Sequence, residues 1–212
     1  MGFWGDRVVP RVVDRAGSGP ELQELRARAC DGLHGRVLEL GFGSGLNLRH
    51  YPDTVSVVLA VEPSDVGWAL SEERRARSPL PVERSGLDGQ SLAEDDASVD
   101  CVLSTLTLCT IPDATAALAE VRRVLRPGGR LHFLEHGLAP DPGVAAWQRR
   151  LDPLQGRLFG GCHLTRDVPA LVTEAGLDVD DVEARYLEGP AVSRPWTHGF
   201  LGRARRAAEP SA

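Results

Sequence analysis

The residues able to do chemistry in this sequence each stand where an apolar run ends. Glu39 closes Val37-Leu38-Glu39-Leu40 and is followed by Gly41-Phe42-Gly43-Ser44-Gly45. Glycine tolerates positive φ and lets backbone approach a ligand, and a helix starting after such a turn would aim unpaired N–H groups at it. A dinucleotide fingerprint would set its third glycine at position 46; that position is Leu46, and the glycine comes one residue early. Glu39 would also repel a pyrophosphate. A carboxylate there suits a cationic ligand, with Gly41, Phe42, Gly43 and Asn47 as the loop's contacts.

Glu62-Pro63 ends the next run, 21 residues past Gly41, where a carboxylate can take both hydroxyls of a ribose. After a weaker run at Val82, Asp88-Gly89 offers an acceptor and a backbone N–H, a pair able to read an adenine edge or to form an ordinary Asp-Gly turn. Thr105-Leu106 leads to Cys109 and would close over the ligand. His136 follows Leu134-Glu135 at the same rim, where an imidazole can act as a general base or orient an acceptor. Cys109 could line an acceptor pocket, but a buried, inert thiol is the preferred reading; Cys162 is placed on the acceptor side.

Alternation of apolar and helical segments predicts a parallel sheet with helices on both faces. Strands are expected at Val37–Leu40, Val55–Val61, near Val82, at Val99–Ser104 and at Arg130–Leu134. Helices are expected at Pro20–Cys30, Asp65–Arg77 and Asp113–Leu125, the last stopped by Arg126-Pro127-Gly128-Gly129. Phe3–Val13 reads as a further helix shortened by Pro10. Later come helices at Val144–Phe159 and Val168–Ala175, then strands at Asp178–Tyr186 and His198–Arg205, consistent with an antiparallel last strand. Ligands of such sheets bind at the carboxyl ends of the strands.

The 212 residues suffice for one domain with a sizeable core. A net charge of -6 argues against a nucleic-acid partner. All basic residues are arginine, and the cluster Arg203, Arg205, Arg206 reads as a solvated strand end. There is no run of 18 apolar residues and no signal-peptide pattern, so no stable membrane insertion and a cytoplasmic location are expected. The four cysteines form no C-x-x-C pair and lack a His at zinc-finger spacing, so free thiols and no metal are expected.

With these motifs in place, the chain resembles the class I S-adenosylmethionine (SAM)-dependent methyltransferases. Glu39–Gly45 matches their first motif, Glu62 their ribose acid, Asp88-Gly89 their adenine loop, and Arg123–Arg130 the turn before their fifth strand. The resemblance implies SAM as cofactor and a Rossmann-like α/β fold: a mostly parallel seven-stranded sheet with an antiparallel last strand. It would divide a single domain into a helical cap (1–34), a SAM-binding half (35–137) and an acceptor-side part (138–212). Thr105–Cys109, Leu134-Glu135-His136, Leu151-Asp152-Pro153 and Gly161–Arg166 look like the microsomal alkyl-thiol methyltransferases and their bacterial relatives, which implies S-methylation of a small-molecule thiol. The animal proteins carry an apolar N-terminal anchor not found here, and a cysteine at the place of Phe42. Phe3, Trp4 and Trp147 to Cys162 would cap the acceptor pocket. The other readings are N-, O- or C-methylation of a lipid, quinone-like or natural-product acceptor; SAM binding without turnover; and, disfavoured by Leu46 and Glu39, a nicotinamide oxidoreductase. The oligomeric state is not legible.

Overall fold

Val37, Leu38 and Leu40 are buried on both sides of the strand Gly35–Leu40 (β1), as expected of a central parallel strand. In the computed structural model, which describes residues 7–208, β1 lies between β2 (Val55–Val61) and β4 (Val99–Thr105), parallel to both. β3 (Val82–Gly86) flanks β2, and β5 (Leu125–His136) flanks β4, also parallel. β7 (His198–Arg205) runs antiparallel between β5 and β6 (Asp178–Tyr186), giving the order β3-β2-β1-β4-β5-β7-β6. The register pairs Leu40 with Val61 and Ser104, and Thr105 with Leu134. The carboxyl ends of β1, β2, β4 and β5 therefore form one rim, and the strand-end residues singled out above sit along it.

Two helical layers cover the sheet. On one side α5 (Ala114–Val124) and α7 (Val168–Glu174) pack Leu118, Val121, Val168 and Val172 against Leu38, Leu131 and Phe133. On the other, Leu25, Ala29 and Cys30 of α2 (Pro20–Cys30) join Val37, Cys101 and Leu201 in a second cluster. Within the segment 1–34, the helix α2 forms a layer of the core. Its four-residue spacing of Leu25 and Ala29 supplies the buried stripe. Cys101 is buried in the strand core.

Several boundaries differ from expectation, each for a local reason. No α-helix follows the glycine turn: Leu48–His50 makes only a 3-10 turn. Pro52 holds Tyr51 extended (φ -64, ψ 131) and stops further winding. The helix expected over Asp65–Arg77 is two, α3 (Asp65–Leu70) and α4 (Glu72–Arg77), because the Ser71 hydroxyl donates to the Trp68 carbonyl and competes with the ladder. Pro10 does not cut a helix short; it lies in the first turn of α1 (Val9–Gly17), where its missing N–H costs nothing. α5 starts at the Asp113 cap, whose carboxylate accepts from the Ala116 N–H, and ends at Val124. Leu125 then pairs with Val99 and Arg130 with Cys101, so the Pro-Gly-Gly turn is looped out of β5. α6 (Pro142–Leu158) begins two residues early, at Pro142 behind the Asp141 cap. A short α8 (Arg194–Thr197) fills the connection from β6 to β7. Arg203 pairs with Asp31 and Arg205 with Asp178 and Asp180, so this strand end is internally neutralised.

Candidate functional site

Gly41 and Gly43 have φ of +65° and +56°, conformations that L side chains rarely adopt. A Cβ on Gly41 would fall 2.1 Å from Thr107 Oγ1, so the loop after β1 and the loop after β4 touch backbone to side chain. The Gly41 and Phe42 N–H groups donate to the Val61 carbonyl at 2.9 and 3.2 Å, tying the turn to the end of β2. The Phe42 ring turns inward onto Trp68, at 5.6 Å between centroids, leaving its backbone at the rim. From outside, Asp14 of α1 accepts from the Ser44 hydroxyl (2.6 Å) and pairs with Arg74, which also donates to the Ser44 carbonyl.

Glu62 is buried beside this turn. Its Oε2 accepts from the Gly43 N–H at 2.5 Å and its Oε1 from the Ser64 N–H at 2.7 Å. An ionised carboxylate has about four acceptor positions, so two remain for a pair of hydroxyls. Burial raises its pKa, opposed by those two amides. Pro63 is exposed next to it. Asp88 is exposed at the end of β3 and accepts through Oδ1 from the backbone N–H and side-chain amide of Gln90. Gly89 is buried against Leu40 and Ile111.

Glu39 and Asn47 lie beneath the turn rather than on it. Glu39, 1% exposed, accepts from Asn47 Nδ2 and the Tyr51 hydroxyl, both at 2.7 Å. Asn47 Oδ1 accepts from Arg26 of α2, which also donates to Thr105 Oγ1; both distances are 2.9 Å. Burial pushes Glu39 up to about 7 against the pull of Tyr51, Asn47 and Arg26. Its charge therefore acts through the loop, as a field, and Asn47 positions that charge. Arg26 and Tyr51 were missed in the sequence, since neither lies near the motif in a recognisable pattern.

Beyond Thr105 the chain takes a strained turn, with Leu106 at φ +55°. Buried Glu135 holds it there, accepting from the Ser104 hydroxyl (2.7 Å), the Thr107 N–H (3.0 Å) and the Cys109 N–H (3.2 Å). Glu135 is the hub of the rim, although only its neighbour His136 carries an obvious chemical label in the sequence. Burial pushes the His136 imidazole down to about 4, with His198 adding to the effect. At neutral pH it is uncharged and a weak proton acceptor, since general bases work best with pKa near the operating pH. Its Nε2 faces the Trp196 carbonyl at 3.2 Å and its Nδ1 the Cys162 sulfur at 3.6 Å. Cys109 Sγ lies 3.8 Å from that sulfur. The 162–166 segment is stitched onto the 108–112 loop: the His163 N–H donates to the Cys109 carbonyl, and Arg166 to the carbonyls of Leu108 and Pro112. Asp152 orients this segment by accepting from His163 Nδ1 (2.9 Å) and the Leu164 N–H (2.6 Å).

A cavity of about 30 Å³ opens at this rim, walled by Leu22, Leu106, Leu187, Trp196, Phe200 and the His136 ring. Trp147, expected to cap it, does not line it and is 55% exposed. The phase of α6 turns Ala145 and Gln148 inward and Trp147 out, since neighbouring helical residues diverge by about 100°. Trp196 lines it instead, its indole N–H donating to Gln155. Phe3 and Trp4 lie outside the described residues. A larger concavity between α2, β6 and β7 is bounded by the pairs Arg28–Glu183 and Arg203–Asp31, away from the strand ends.

A glycine turn at the end of β1, an acid at the end of β2 and this sheet order define the class I methyltransferase architecture, and the comparisons agree. The profile of the methyltransferase domain matches residues 38–133, and the chain belongs to the SAM-dependent methyltransferases. It is 32% identical over 173 residues to the human thiol S-methyltransferase TMT1A, covering 77% of this chain and 69% of that protein. It is 37% identical over 137 residues to thiol S-methyltransferase TMT1B of Rattus norvegicus (62% and 55%), so the chain spans little more than half of that relative. A phosphatidylethanolamine N-methyltransferase of Cereibacter sphaeroides is 30% identical over 155 residues (68% and 71%). Among solved structures, a putative methyltransferase of Haloferax volcanii, in complex with the activator Trm112, superimposes with a TM-score of 0.71 at 20% identity (96% of each chain). The [4+2]-cyclase SpnF gives 0.68 at 21% (89% and 81%). At such identities the likeness concerns the fold alone. SAM fits the residues present: Gly43, at positive φ, has room where a side chain would stand, and Glu62 keeps two acceptor positions.

Proposed function

We propose that this chain transfers the methyl group of SAM to a small apolar thiol, giving a thioether. The reading is carried by the rim cavity, which is apolar and offers no effective general base. The His136 and His198 rings in its wall are held by the carbonyls of Trp196 and Gly137, and the carboxylate of Glu135 is already used by three donors. A phenol or amine acceptor would need a stronger base. A thiol with pKa near 8.5 is already a few per cent thiolate at neutral pH. The similarity to thiol S-methyltransferases supports the same acceptor. The cofactor would supply an activated methyl on a sulfonium. The chain's contribution is alignment: Glu62 to hold the ribose, Asp88 and Gly89 the adenine, Gly43 the close approach on a turn that Gly41 seats against Thr107, and Leu106 the contact facing the acceptor. Orientation of this kind can supply about 7–11 kcal/mol of the barrier, more than the roughly 3–5 kcal/mol of general-base catalysis.

The second reading is methylation of a lipid amine, favoured by the likeness to the phosphatidylethanolamine N-methyltransferase. The deciding experiment measures S-adenosylhomocysteine release with SAM and one alkyl thiol, one phenol, one simple amine and one phosphatidylethanolamine. Turnover confined to the thiol is expected. Turnover on the lipid alone replaces the first reading by the second, and SAM binding without turnover on any acceptor overturns both.

A further inference from the structure

Cys109, Cys162 and His136 bring two sulfurs and a ring nitrogen to within 4.8 Å of one another. The loop after β4, the end of β5 and the loop after α6 each supply one of them, and alignment of a methyl donor and acceptor does not require all three. Two of their three separations are those of a tetrahedral site. Bonds of about 2.3 Å to sulfur and about 2.05 Å to imidazole nitrogen put two sulfurs about 3.8 Å apart, and sulfur and nitrogen about 3.6 Å apart. Cys109 Sγ and Cys162 Sγ are 3.8 Å apart; Cys162 Sγ and His136 Nδ1 are 3.6 Å apart. The remaining edge is at most 4.8 Å.

The surroundings hold these groups as ligands are held. The Trp196 carbonyl, 3.2 Å from His136 Nε2, takes the ring's proton on that side and leaves the Nδ1 lone pair aimed at the sulfurs. The Cys109 N–H is fixed by Glu135, and the Thr110 hydroxyl lies 3.5 Å from the Cys109 sulfur, placed to donate to a thiolate. Two thiols side by side gain little from each other, being weak donors and acceptors. Two thiolates and an imidazole are a donor set for a soft or borderline cation.

We propose that Cys109, Cys162 and His136 form a zinc site whose fourth position receives the sulfur of the acceptor thiol. The acceptor part rests on the thiol reading above. Three protein ligands and one open position mark catalytic rather than structural zinc sites, and His136 is shared with the wall of the rim cavity. The acceptor thiol binds as its thiolate, releasing one proton to solvent. A sulfur lone pair forms the new S–CH3 bond while the sulfonium's S–CH3 bond breaks, its electron pair remaining on S-adenosylhomocysteine. The uncharged thioether product is a poor zinc ligand and leaves.

The test uses the full chain purified under reducing conditions, with metal content measured by elemental analysis and cobalt(II) as a spectroscopic substitute. Expected are about one zinc per chain and a near-ultraviolet thiolate-to-cobalt charge-transfer band. The band should be lost in Cys162→Ser and in Cys109→Ser. In His136→Asn zinc affinity should fall by more than about tenfold, with SAM binding by calorimetry retained as the sign of a folded protein. Addition of a small alkyl thiol should perturb the cobalt ligand-field bands. No retained zinc and no cobalt charge transfer, in protein that binds SAM, overturns the site. Thiol turnover undiminished after chelator stripping overturns the metal's part in the reaction and leaves the thiol reading intact. Zinc bound together with turnover on the amine or phenol alone supports the metal site and overturns the acceptor reading.

Discussion

Glu62 and Glu39 are both buried acids beside the glycine turn, yet they lead to different expectations. Glu62 keeps acceptor positions for a ribose, so Glu62→Gln should weaken SAM binding roughly ten- to hundredfold, the worth of hydrogen bonds to a charged group. The change should appear by calorimetry, with little change in melting temperature. Glu39 acts by charge. Its pKa stands near 7 in the free protein because burial disfavours the anion, whereas a nearby bound cation favours it. SAM binding should therefore take a proton off Glu39 and weaken as pH falls below about 7. Titrations at several pH values should show this slope, and Glu39→Gln should flatten it; an unchanged slope would mean that the carboxylate does not sense the ligand. Both acids were legible as strand-end residues. That one keeps free acceptor positions while the other lies under a lattice of Asn47, Tyr51 and Arg26 was not, because depth below a turn leaves no mark on spacing.

The elements that position the site come from opposite ends of the sequence motif's reach. The glycine turn lacks the helix expected after it, and α2 anchors the turn from below. Arg26 reaches beneath the turn to Asn47 and Thr105, joining the strand ends of β1 and β4. Arg26→Met keeps the length of the side chain but leaves Glu39 without its compensating cation. Breaking such a buried charge arrangement costs about 3–5 kcal/mol, so urea unfolding should show a loss of that order, with weaker SAM binding as well. A stability near that of the wild type would make α2 merely a covering layer. Strands and α5 were readable because apolar runs, the Asp113 cap and the Pro-Gly-Gly stop are local signals. The split at Ser71, the outward turn of Trp147 and the role of Trp196 depend on side-chain competition and helical phase over longer distances.

For the molecule as a whole, His132 in β5 is fully buried, its Nδ1 2.8 Å from the Ala29 carbonyl of α2. Burial, with Arg203 and Arg130 nearby and Asp181 opposing them, pushes it down to about 4. The unfolded chain thus takes up a proton that the folded one refuses. The stability from this residue is complete above about pH 6.5 and is lost as pH falls towards 4. Glu39, raised to about 7, works the other way and favours the fold at the acid end of this window. Comparing urea midpoints at pH 7.5 and pH 5, His132→Phe should lose about 2 kcal/mol less than the wild type over that interval; equal losses would remove His132 from the account. No helix among the described residues is long and apolar enough to cross a membrane. β7 lies between β5 and β6 but follows both in the chain. During synthesis, β5 and β6 each present an unpaired edge until residues 198–205 have emerged. The nascent protein therefore passes through an interval in which open strand edges are its chief aggregation hazard, and the speed at which its last strand is translated becomes a determinant of yield.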